Sequence, residues 1–288
     1  MTKNSPNPEK SLKIPRLIVV TGKIIAFISP KLATLYAAKL FTTPIKHKVP
    51  KRELEMDSKS VQKLIDIPAI QKKIMTYQYG KSDRKILLVH GWSGRGTQLV
   101  KIADELLKSG YSTISFDAPA HGKSPGDQTI MVDFIASILE LDKQFGPFEA
   151  AIGHSLGGMS VLNAVKEGLK INSLAIIGSG DVVQDIIDDF IAKLELKPST
   201  ATSLRLHFEK KYGGAMDDYS AFRAAQNITI PALVIHDEND TEVSVKAGIH
   251  IHDHLKNSEL VITKGWGHRK ILGNHAMVEK VVRFIENK

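Results

Sequence analysis

Residues 153–157 read Gly-His-Ser-Leu-Gly, which sets a hydroxyl between two glycines directly after the small apolar run Ala150-Ala151-Ile152. At its ordinary pKa a serine is a weak nucleophile, so chemistry at Ser155 needs a base for its proton and a third group to orient that base. Both types occur downstream, each behind an apolar run. HDENDTEV at 236–243 carries Asp240, and GWGH at 265–268 carries His268. Asp237 belongs to the end of the preceding strand, whereas Asp240 falls in the turn beyond it, so Asp240 is the expected orienting carboxylate. A carbonyl oxygen gaining charge would need two backbone donors. The expected pair is the N–H of Leu156, just after the serine, and the N–H of Trp92 in HGWSGRG at 90–96. The side chains of Trp92 and Met159 are placed either to line a pocket or simply to pack.

Such residues act together only if the fold gathers them. From about residue 71 the chain alternates short β-rich runs with helical patterns, the signature of a mainly parallel sheet covered by helices. QKKIMTYQY (71–79) alternates in polarity and reads as an edge strand. Near-continuous apolar runs at 86–92, 113–119, 149–155, 173–179, 232–238 and 259–265 read as strands buried on both faces. Helical stretches fall near 97–109, 129–145, 156–169, 244–256 and 275–286. Residues 181–229 are too long for an ordinary connection and carry a helical period of their own in Val183, Ile186, Ile187, Phe190, Ile191 and Leu194. They predict a helical lid over the carboxyl edge of the sheet, where sites of such folds lie. Ser155 then sits at a sharp strand-to-helix corner, with glycines allowing the close crossing and a helix amino terminus offering donors to an oxyanion.

HGW at 90–92, FDAPAHGKS at 116–124, GHSLGG at 153–158, HDENDTEV at 236–243 and GWGH at 265–268 stand in the order found in the α/β-hydrolase superfamily, which the chain resembles over roughly residues 71–288. The resemblance implies an α/β-hydrolase fold and esterase, lipase, thioesterase or related acyl-transfer chemistry. It carries over Ser155, Asp240, His268, Trp92 and Leu156, and nothing else. A serine rather than an aspartate at the elbow disfavours dehalogenase and epoxide hydrolase activities. The expected function is cleavage of a small-molecule carboxylic ester through an acyl-enzyme, with activity rising as His268 loses its proton. Thioester or amide cleavage would use the same groups, and a non-catalytic binding protein on the same fold is the alternative of another class.

Composition narrows the field further. The 288 residues contain no cysteine, which removes disulfides, thiolate metal sites and cysteine nucleophiles and is compatible with a reducing cytoplasm, the expected compartment. No GxGxxG or phosphate loop is present, so no cofactor is expected. His250, His252 and His254 resemble a metal site, but on a helix only His250 and His254 share a face, and no metal is expected either. His90, His121 and His154 are expected to shape their loops by hydrogen bonding.

The formal charge of +8 is unevenly spread: residues 1–52 hold eleven Lys or Arg against Glu9, while the remainder is slightly acidic. A core without a basic stripe argues against nucleic acid as a partner. The chain divides at this change of charge into a basic extension, 1–52, and a hydrolase domain, 53–288. The first fifteen residues, rich in Pro, Lys and Asn, are expected to be disordered or loosely attached. The run 17–41 is interrupted by Lys23, Lys31, Lys39, Gly22 and Pro30, which excludes a transmembrane span. A secretory leader is disfavoured, since Lys23 splits the apolar run and no small-x-small cleavage site follows. From Ser29-Pro30 the pattern predicts a capped amphipathic helix with Leu32, Leu35, Tyr36 and Leu40 at helical spacing. It would either pack on the domain or lie peripherally on an anionic membrane.

Overall fold

A computed structural model describes residues 14–288, so the expectation of disorder for residues 1–13 lies outside the described residues. Two helices come first, α1 (Arg16–Ile28) and α2 (Pro30–Phe41), followed by a short α3 (Leu54–Lys59). Strands β1 (Val61–Ile67) and β2 (Lys72–Tyr79) lead into the alternating unit: β3 (Lys85–Val89), α4 (Val100–Lys108), β4 (Ser112–Asp117), α5 (Met131–Phe145), β5 (Ala150–His154), α6 (Leu156–Lys166) and β6 (Ser173–Ile177). The insertion follows as α7 (Val183–Lys193), α8 (Pro198–Tyr212) and α9 (Ala221–Ala225). The chain closes with β7 (Ala232–Asp237), α10 (Val245–His254), β8 (Ser258–Thr263), α11 (Gly267–Lys270) and α12 (His275–Glu286).

The eight strands form one sheet in the order β1-β2-β4-β3-β5-β6-β7-β8. β1 and β2 are antiparallel to each other, β2 is antiparallel to β4, and β3 to β8 run parallel. Because successive side chains of a strand point to opposite faces, β3 divides its apolar residues between two layers. Leu87 and Val89 meet α5 and α6, while Ile86 and Leu88 meet α4 and α12.

Two expectations about the sheet fail for one reason. β2 was expected at the edge, yet β1 pairs along its whole length, from Val61 opposite Gln78 to Ile67 opposite Lys72. β1 escapes a sequence reading because it leaves Val61 and Leu64 exposed and buries only Ile65 and Ile67. The other edge is β8, expected to be buried on both faces but partly exposed along its length. An apolar run therefore does not by itself separate an edge strand from a central one.

The segment 181–229 is helical, and Val183, Ile187, Ile191 and Leu194 are buried as its period predicts, with Ile186 facing outward. Its α8 receives α2. Ser29 caps α2 through Oγ, which accepts the Leu32 N–H at 3.4 Å, and Pro30 occupies the first turn. The face of α2 turned inward is not the leucine face. Ala33, Thr34, Ala37 and Ala38 are buried, while Leu32 and Leu35 point to solvent. Small side chains let the helix approach closely, and Phe41 closes the contact edge-on to Phe190 (5.1 Å between centroids) and tilted against Phe208 (5.6 Å). α1 is a second helix where the sequence pattern predicts only one. Among the described residues no helix is long and apolar enough to cross a membrane.

Candidate active site

Ser155 stands between β5 and α6 with φ 54° and ψ −121°, a conformation that a residue with a side chain holds only under constraint. The constraint is visible in the glycines on either side. A methyl on Gly153 would lie 2.4 Å from the Gly157 carbonyl oxygen, and one on Gly157 would lie 2.3 Å from the Val89 carbonyl oxygen. The crossing of strand and helix is thus too tight for any other residue at either position. The Ser155 N–H donates to the Ile177 carbonyl at the end of β6 (2.9 Å), while its own carbonyl accepts from Gly158 and Met159 in the first turn of α6.

The loop after β7 brings Asp240 to His268. His268 Nδ1 donates to Asp240 Oδ2 at 2.7 Å, which leaves the Nε2 lone pair as the basic position of the ring. The other oxygen of Asp240 accepts from the Glu242 and Val243 amides at 2.8 and 2.9 Å. Burial would push this carboxyl up, but the hydrogen bonds from His236 and His268 outweigh it and hold the group below the usual carboxylate range. Asp240 and His268 also adjoin the serine's neighbourhood. A methyl on Gly178, next to Ile177, would lie 3.3 Å from His268 Nδ1 and 3.5 Å from Asp240 Oδ2. The His154 ring, adjacent in sequence to Ser155, lies 4.8 Å from the His268 ring.

The loop after β3 reaches the same corner. A methyl on Gly91 would be 2.9 Å from Ser155 Cβ, which places the following residue, Trp92, beside the serine. Leu156 opens α6 on its other side. The Trp92 indole is half-buried and meets His121 edge-on (5.3 Å), so its visible task is packing over the loop. Buried polar groups stitch this loop to the one after β4. His90 Nε2 accepts the Ala118 N–H, His121 Nε2 accepts the Ser93 N–H (both 3.0 Å), and Asp117 Oδ1 accepts the Gly96 N–H at 2.7 Å. Asp117 Oδ2 accepts from Lys123 N–H and from the Tyr77 hydroxyl. Desolvation drives His90 well below the normal imidazole value and His121 down to about 4, so both are neutral acceptors here; it raises the Asp117 carboxyl.

Sequence reasoning missed Asp237 and His236 as residues that hold these groups in place, while His154 acts through a hydrogen bond as expected. Asp237 accepts from the Trp266, Gly267 and Asn239 amides and the Thr263 hydroxyl, clamping the turn that presents His268. His236 is fully buried; its Nε2 donates to the Val243 carbonyl (3.0 Å) and lies 3.5 Å from Asp240 Oδ2. His154, driven down to about 3 by burial, donates from Nε2 to the His268 carbonyl at 2.9 Å. One signal was available for His236: an imidazole inside an otherwise apolar strand must find a partner.

Among the described residues no group of three or more His, Cys, Asp or Glu is arranged to hold a metal. The His250 and His254 rings are 4.4 Å apart, His250 bonds to Asp181, and His252 turns away to Ser258. An open groove of about 580 Å³ lies at the opposite, amino edge of the parallel strands, lined by Asp83, Phe148, Lys170 and Ile230 among others, remote from this chemistry.

The sequence model of the alpha/beta hydrolase family matches residues 86–283. Among curated protein sequences none matches. Solved structures share the fold at low identity. An esterase from Exiguobacterium antarcticum is 18% identical with a TM-score of 0.62, over 78% of this chain and 100% of its own. Alpha/beta hydrolase domain-containing protein 10 from mouse is 16% identical with a TM-score of 0.63, over 79% and 97%. A bromoperoxidase from Bacillus anthracis is 17% identical with a TM-score of 0.60, over 79% and 100%.

Proposed function

The chain belongs to the alpha/beta hydrolase family, and from that premise we propose that it is a serine hydrolase cleaving small-molecule carboxylic esters through an acyl-enzyme on Ser155. The observation that carries this reading is the 2.7 Å bond between Asp240 and His268, at the corner where Ser155 is held in its constrained conformation. The esterase named above shares this fold, which favours the same chemistry without fixing the substrate.

In this reading His268 Nε2 takes the Ser155 hydroxyl proton as Oγ attacks the ester carbonyl carbon. The carbonyl electrons move to the oxygen, whose charge the Trp92 and Leu156 N–H groups stabilise. Each such donor is commonly worth about 10²–10³ in rate. Collapse of the tetrahedral adduct breaks the bond to the alkoxy oxygen, which leaves with the proton from His268 as the alcohol. Water, deprotonated by the same imidazole, then releases the acid and restores Ser155. Asp240 keeps the proton on Nδ1 and stabilises the transient imidazolium.

The test is labelling with a fluorophosphonate, whose fluoride a reactive serine displaces, followed by mass spectrometry and an ester and thioester panel of graded acyl length. The expected result is a label confined to the Ser155 peptide and, in Ser155→Ala, a turnover loss of about 10⁴-fold or more with the fold intact. Ester turnover retained by the folded Ser155→Ala protein would overturn the assignment, as would a label on another residue.

A further inference from the structure

The helical pair α1–α2 has two unlike faces. Toward the protein it buries Val19, Gly22, Ala33, Thr34, Ala37 and Ala38. Toward solvent α1 presents Leu17, Val20, Ile24, Phe27 and Ile28, at 78%, 39%, 57%, 94% and 69% exposure, and α2 adds Leu32 and Leu35. The α1 residues recur at intervals of three and four and form a single stripe. An apolar stripe of this extent on a protein surface marks an interaction site.

The charge around the stripe selects the partner. Residues 14–52 contain eight Lys or Arg and no acid. Lys23, Lys31 and Lys39 are exposed along the hairpin, one or four residues from Ile24, Phe27 or Leu35. Arg16 and Lys23 also reach Glu195 beyond α7, which ties α1 to the insertion with its stripe turned outward. A second copy is a poor match, because a two-fold contact sets each patch against itself and brings the lysines together.

We propose that the outer face of α1–α2 docks on an anionic phospholipid surface, its apolar stripe at the boundary of headgroups and acyl chains and its lysines against the lipid phosphates. The hairpin lies in the surface rather than across it, since a 13-residue helix spans about 20 Å against a hydrocarbon core of about 30 Å. The docking is independent of the hydrolase reading and stands or falls on binding alone.

Removing the first 45 residues is not a clean test, because it would also uncover the surface of α8 on which α2 packs. The experiment is cosedimentation of the full chain with phosphatidylcholine vesicles, with and without phosphatidylglycerol, at low and high salt. Wild type is compared with the triple variant Leu17→Ser, Ile24→Ser, Phe27→Ser and with the double variant Lys31→Glu, Lys39→Glu, after circular dichroism confirms folding. The expected result is retention by the phosphatidylglycerol vesicles that weakens with salt, with a fall of about tenfold or more in partition coefficient in each variant. If the triple variant does not fold, Phe27→Ser alone, at 94% exposure, carries the apolar arm. Equal retention of folded variants and wild type overturns the proposal, and so does a wild type that ignores both vesicle types. A wild-type dimer that the triple variant breaks, without vesicle binding, assigns the face to self-association and overturns it as well.

Discussion

Two loop pairs meet at the carboxyl edge of the sheet, and their buried polar groups have been pushed in opposite directions. Around the loops after β3 and β4, burial dominates: His90 and His121 are forced toward their neutral forms and the Asp117 carboxyl is raised. Around the loops after β7 and β8, hydrogen-bond donors dominate: Asp237 and Asp240 are both held below the usual carboxylate range despite their burial. Depth of burial therefore does not predict charge at this edge. The first pair uses neutral imidazoles as struts for backbone amides, while the second keeps negative charge beside the imidazole that would gain a proton.

The sharpest way to break this comparison is to neutralise the charged side without changing its shape. Asp240→Asn should lower kcat by about 10³–10⁴-fold while ester KM and the unfolding midpoint change far less. A loss below tenfold in steady-state kinetics would deny the charge its role.

Asp237→Ala tests the same side through structure. It strands the amides of Asn239, Trp266 and Gly267, and buried donors without partners cost about 1–3 kcal/mol each before relaxation. A stability loss of about 3 kcal/mol in urea unfolding is expected on that basis.

The neutral histidines, His121 on the first side and His154 at the end of β5, give the smaller and more specific effect. Because the folded pKa values of His121 and His154 are depressed, to about 4 and about 3, the unfolded chain binds their protons first as pH falls. Their contribution is intact above about pH 6.5 and is lost as acid is added, with each histidine steepening the fall by about 1.4 kcal/mol per pH unit. His121→Leu should cost about 1–3 kcal/mol at neutral pH by orphaning the Ser93 amide. It should also make the decline between about pH 6 and pH 4 shallower by one proton. Unfolding midpoints across that range check both, and an unchanged slope would deny the buried neutral state of His121.

The sequence revealed the parts of this edge that rest on local rules. Ser155 was legible because a serine between glycines at a strand-to-helix junction has a steric logic, and the structure supplies it in the close approaches at Gly153 and Gly157. Asp240 could be separated from Asp237 because one falls in a turn and the other ends a strand, and their hydrogen-bond partners differ accordingly. What stayed hidden depends on tertiary partners. Nothing local marks β1, whose apolar residues are split between water and core, or marks His236 as a neighbour of Asp240. The orientation of α2 stayed open in the sequence because its leucines carry the stronger apolar period, whereas close docking selects Ala33, Ala37 and Ala38.

That docking has a consequence in time. The partner of α2 is α8, whose last residue is Tyr212, about 170 residues after the helix leaves the ribosome. At the usual pace of synthesis, 5–20 residues per second, this is an interval of roughly 10 to 30 s. For that period the alanine face of α2 is as uncovered as the outer stripe, and the nascent chain carries a basic helical pair apolar on both sides. Whatever meets the chain in that window, whether a chaperone or a lipid surface, meets it before the helix that will receive it has been made.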